Sequence, residues 1–94
     1  MINIEEREML NEEQNKFIED YKEYLREQGY AESSINMYSR RIKKFFKEGF
    51  SVNDLIGSLN NLIGMYSNGG SKFDPKDNNN TSSALKRVAD YINN

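Results

Sequence analysis

Side chains suited to phosphate contact crowd one short stretch. Arg40, Arg41, Lys43, Lys44 and Lys47 lie within eight positions. At about 100° per residue, Ser33, Asn36, Arg40, Lys43, Lys44 and Lys47 share one sector of a helix, while Ile35, Tyr38, Ile42, Phe45 and Phe46 fill the opposite one. One side would pack while the other holds out cations and small hydrogen-bonding groups. Phosphate contact needs that combination: cationic heads attract the backbone and release its counterions, and Ser or Asn sets register. A merely solvated face competes with this explanation. Ordinary surface helices mix signs, however, whereas no acidic residue stands between Ser33 and Lys47. Lys86 and Arg87, beside Ser82 and Ser83, form a smaller second cluster. Lys72 and Lys76 add reach that Asp74 and Asp77 offset locally.

Other chemistry finds little support. There is no His and no Cys, which removes Ser-His and Cys-His nucleophiles, the usual zinc sites and any disulfide framework. Glu12, Glu13, Glu19, Asp20, Glu23 and Glu27 mark an acidic helix face, but exposed carboxylates have nothing to shift their pKa toward acid–base work. The stretch from Asp74 superficially resembles a calcium loop, yet Lys76, Asn79 and Leu85 stand where an EF-hand needs a ligand, Gly and Glu. Ser67 to Lys72 lacks the spacing of a phosphate loop. Asn79 and Asn80 begin formal glycosylation sequons, with nothing to suggest secretion. We expect no catalytic residue, no cofactor, no metal and no small-molecule substrate.

These side chains need a scaffold, and 94 residues suffice for one domain with a modest core. Eleven aromatics argue against disorder. Phe17, Ile18, Tyr21, Tyr24 and Leu25 predict a first helix from Asn11, where Gln14 completes a capping box, to a stop at Gly29. A second is expected from Glu32 or Ser33 to Lys47, closed by Gly49. Val52, Leu55, Ile56, Leu59, Leu62, Ile63 and Tyr66 predict a third, started by Ser51 with Asp54, either continuous or broken at Gly57-Ser58. A loop follows from Asn68 to Asn80, with Phe73 expected to anchor it. Ala84, Leu85, Val88, Tyr91 and Ile92 predict a last helix capped by Asn80 or Thr81. Ile2, Ile4, Met9 and Leu10 suggest an extra N-terminal turn. Thirteen Asn read as compositional bias beyond their use in turns and caps. No strand alternation appears, so the reading is all-α: a single small bundle of four to five helices.

Net charge is -2, but it divides unevenly. Residues 1–32 hold ten acidic against four basic side chains, and residues 33–94 hold five against nine. No apolar run is long enough for a bilayer and the N-terminus is acidic, so a cytoplasmic protein without membrane contact is expected.

Phe17 to Leu25 (FIEDYKEYL), Gly29-Tyr30 and the segment Glu32-Ser33-Ser34-Ile35-Asn36-Met37-Tyr38-Ser39-Arg40-Arg41-Ile42-Lys43-Lys44-Phe45 together resemble the N-terminal SAM-like, core-binding domain of phage integrases, members of the tyrosine recombinases. Residues 80–92 are similar to that domain's closing helix. The resemblance spans about 14–92 and leaves 1–13 as an acidic extension. It implies a helical bundle that grips double-stranded DNA as half of a clamp, with a C-terminal catalytic recombinase domain as the other half. By position it implies DNA contacts from Ser33, Ser34, Asn36, Arg40, Lys43 and Lys44, with Arg41 and Lys47 beside them, and from Ser83, Lys86 and Arg87. Ser34 stands where Thr is commoner. The family's catalytic Arg, His and Tyr have no counterpart, so this is either a recombinase fragment or an orphan module. The rival reading is a protein-interaction module, using the acidic helix or an exposed Met37 and Tyr30.

Overall fold

Helix formation begins where the sequence offers a cap. A computed structural model describes residues 10–93; the suggested turn at Ile2, Ile4 and Met9 lies outside them. Asn11 accepts the Gln14 N–H at 2.7 Å and the Gln14 side chain accepts the Asn11 N–H at 3.0 Å, so both predicted halves of the capping box exist and α1 runs Glu12–Glu27. Gln14 does more. Its side-chain amide donates to the Phe50 carbonyl at 2.9 Å, tying the start of α1 to the corner after the next helix.

Helix α2 spans Glu32–Lys47, α3 Val52–Gly57, α4 Leu59–Tyr66 and α5 Asn80–Ile92, with a 3-10 turn at Pro75–Asp77. No strand occurs among the described residues, and the all-α bundle is as expected. Helices α1 and α2 end alike. The Tyr30 N–H reaches the Leu25 carbonyl and the Gly29 N–H that of Arg26; Phe50 and Gly49 repeat this with Phe45 and Phe46. This doubled closure requires a left-handed residue after the cap, supplied by Gly29 at φ +89° and Gly49 at φ +112°. The second copy carries its apolar clasp: Phe45 and Phe50 stack edge to face, centroids 5.5 Å apart.

Ser51 and Asp54 cap α3 reciprocally, as the sequence indicates. Ser58, at φ -105° and ψ 4°, then breaks the stripe into α3 and α4. The buried stripe nevertheless keeps its helical spacing across the break. Val52, Leu55, Leu59 and Leu62 point inward, but Ile56, expected in the core, stays 37% exposed. Ile92, on the last turn of α5, is likewise 38% exposed.

The core is filled by Ile18, Tyr21 and Leu25 of α1, Ile35 and Ile42 of α2, Leu55 of α3, and Leu85 and Val88 of α5, all essentially out of solvent. Each such side chain contributes about 1.5–3 kcal/mol on transfer from water. Helix α5 packs on α1, α2 and α4. Tyr21 locks it in place by donating its hydroxyl to the Ala84 carbonyl at 2.9 Å.

Backbone contacts hold the loop after α4. The Lys72 N–H bonds the Met65 carbonyl at 2.9 Å, and Gly70 passes so near the Gly64 and Met65 carbonyls that a Cβ would collide with both. Phe73, expected as the anchor, is half-buried. Neither Asn80 nor Thr81 caps α5. Asp77 accepts the Thr81 N–H at 2.7 Å instead, delivered there by Asn78 and Asn79, both left-handed.

Candidate nucleic-acid interface

Burial of Ile35, Ile42, Phe45 and Phe46 fixes the rotation of α2. That rotation leaves Ser33, Asn36, Arg40, Lys44 and Lys47 exposed and Lys43 half-buried on the flank. Among the described residues, Arg40, Lys43, Lys44 and Lys47 make no ion pair. By contrast, Lys16 and Arg26, in the acidic first helix, both pair with carboxylates. The hydrogen bond from Arg26 to Glu32 holds the Glu32 carboxyl below its ordinary value. Neighbouring cations on α2 repel one another, a cost that phosphate oxygens between them would relieve.

Two predicted contacts are otherwise engaged. Arg41 is half-buried and its Nη2 lies 2.8 Å from Asp77 Oδ1. Its Nε is buried without an acceptor, an unmet donor of the kind that costs about 1–3 kcal/mol. Arg87 donates its Nε to Asp90 at 3.1 Å and its Nη1 to the Tyr30 hydroxyl at 3.2 Å. Burial presses the Arg87 guanidinium toward a lower pKa, but Tyr30 and Asp90 outweigh it and the net shift is upward. Both arginines therefore serve joints of the fold. Ser34 and Ser83 are half-buried, and Lys86 is exposed.

The structure thus gathers Ser33, Asn36, Arg40, Lys43, Lys44 and Lys47 on one face of α2, while Arg41 pairs with Asp77 and Arg87, on α5, with Asp90 and Tyr30. The sequence reading missed Asp77 as the partner of Arg41, because Asn80 and Thr81 offer nearer caps and no spacing signals a pair 36 positions apart. A hollow of about 410 Å³ opens beside this pair, with Lys44 and Lys72 among its walls. Tyr30 and Met37, proposed as exposed contacts, are half-buried, and Tyr30 packs edge to face on Tyr38.

No group of three or more potential metal ligands occurs among the described residues, and no helix there is long and apolar enough to cross a membrane. A family model for the phage integrase SAM-like domain matches residues 6–56, just over half of the chain. The match covers α1, α2 and nearly all of α3, hence every candidate contact from Ser33 to Lys47. It starts ahead of the expected residue 14 and ends before α4, so Ser83, Lys86 and Arg87 lie outside it. Neither curated proteins nor solved structures yielded a match. An aromatic first helix closed by Gly29, a Ser-Ile-x-x-Tyr second helix with its basic outer face, and the matched segment containing both lead to one assignment: the chain belongs to the phage integrase SAM-like domain family.

Proposed function

We propose that this chain is a non-enzymatic module that grips duplex DNA through phosphate contacts from the outer face of α2. The carrying observation is the row Arg40, Lys43, Lys44 and Lys47, without ion pairs among the described residues and turned outward by a buried opposite face. Ser33 and Asn36 flank the row and set register, and Ser34 on α2 and Ser83 on α5 are further candidates for backbone contact. Lys86 adds a cation from α5. Arg40 and Asn36 have the donor geometry to read a base edge, but so few groups make a largely non-specific binder. Family membership supports the DNA role and a place beside a C-terminal catalytic recombinase domain in a longer parent chain; a cytoplasmic location belongs to the same proposal.

The test is binding to a labelled duplex of arbitrary sequence at low salt, followed by anisotropy. Arg40→Glu combined with Lys44→Glu should abolish the salt-dependent signal while leaving helical circular dichroism intact, because both side chains are exposed. Binding that is absent at low salt, or unmoved by the double change, defeats the proposal.

One observation favours a protein-interaction module as the second reading. Asp20, Glu23 and Glu27 line a hollow with Tyr24 and Tyr91, an acidic and aromatic surface suited to a basic partner. It takes precedence if the duplex experiment fails.

A further inference from the structure

Asp77 has an unusual setting for a loop carboxylate. Its side chain is 16% exposed, one oxygen pairs with Arg41 of α2 and the other accepts the Thr81 N–H in the first turn of α5. A phosphate docked at this place would use the same two partners: a guanidinium and a helix-start amide. The chain takes a costly route to put Asp77 there. Asn78 and Asn79 both adopt positive φ, 54° and 61°, a conformation that Asn tolerates better than most residues. The Asn run that reads as mere bias in the sequence thus has a mechanical use. Arg41, for its part, sits next to Arg40 and one turn from Lys44, so its guanidinium borders the exposed row. It remains 38% exposed, and Nε has no acceptor, so the carboxylate satisfies it only in part.

We propose that Asp77 is a built-in substitute for a DNA phosphate, which occupies Arg41 and holds that cation out of the duplex contact. The inference rests on the DNA-binding reading above. The mask limits how many phosphates the domain engages, and moving the 67–79 loop away adds one contact from Arg41 and frees the α5 amide.

Asp77→Asn tests it well, because the amide oxygen still accepts the Thr81 N–H while the charge is gone. In duplex titrations over a range of salt, Asp77→Asn should bind roughly ten-fold tighter than the parent at low salt, with a log–log salt slope steeper by about 0.9, the increment for one added phosphate contact. The gain should vanish when Arg41→Gln is added. Asp74→Asn removes the same charge from the same loop without touching Arg41, and should give far less. Asp77→Ser, another neutral cap, repeats the test should Asp77→Asn lose helicity. A gain that persists in the Arg41→Gln background, or that Asp74→Asn reproduces, would mean a diffuse field effect and overturn the inference. If the parent binds through Arg40 and Lys44 but Asp77→Asn gains nothing, the mask alone is refuted. Absence of parental binding sinks the DNA reading along with it.

Discussion

Tyr21 joins the first helix to the last, and its hydroxyl makes stability depend on alkali. Burial pushes its phenol far above the ordinary value, and the O–H donates to the Ala84 carbonyl. The folded state therefore holds the neutral form while the unfolded chain titrates near pH 10. Stability from this group is complete below about pH 10 and lost as pH rises toward the folded value. Tyr21→Phe should cost about 1 kcal/mol at neutral pH, the net value of a hydrogen bond, yet soften the alkaline loss. Urea melts at pH 7 and above pH 10 would show both. The helical spacing identifies Tyr21 as a core residue. Its acceptor, 63 positions away, belongs to tertiary structure and has no local signature. The same holds at Arg41: its charge is plain in the sequence, whereas its neutralisation depends on where a distant loop returns.

At the level of helices and turns, the sequence is most informative where a local rule decides. Asn11 with Gln14, Ser51 with Asp54, and the glycines at 29 and 49 act on neighbours in the chain, so their roles follow from spacing. Gly29→Ala or Gly49→Ala should each cost about 1–2 kcal/mol by forcing a Cβ into the left-handed region, and thermal melts would register the loss. Gly70→Ala should cost more, about 2–3 kcal/mol, because its Cβ meets rigid carbonyls of Gly64 and Met65 rather than a movable side chain. Equal losses at positions 49 and 70 would contradict that ordering. Ile56 shows where periodicity misleads: Val52, Leu55, Leu59 and Leu62 keep helical spacing across Ser58, and Ile56 lies on the rim of that stripe, where spacing alone does not decide burial. The start of α5 is misread for a related reason, since Asp77 caps it across two left-handed Asn that helical periodicity does not register.

For the molecule as a whole, the small net charge conceals a division between an acidic first helix and a basic second one. That division is legible in the sequence, as is the outward rotation of α2, because an apolar stripe can only face the core. With Arg40, Lys43, Lys44 and Lys47 as the contacting cations, the salt dependence of duplex binding should have a log–log slope of about -3 to -4. A slope near zero would rule the row out, and a markedly steeper one would bring in cations beyond α2. One stitch seen in the fold bears on how the bundle opens. The Gln14 amide clasps the Asn11 backbone with its oxygen and the Phe50 carbonyl with its nitrogen, so fraying at the first turn removes a partner from the bend that aims α3. Deuterium uptake around residues 11–14 and 49–52 should consequently proceed in step, as a single breathing unit, and Gln14→Leu should uncouple the two clocks.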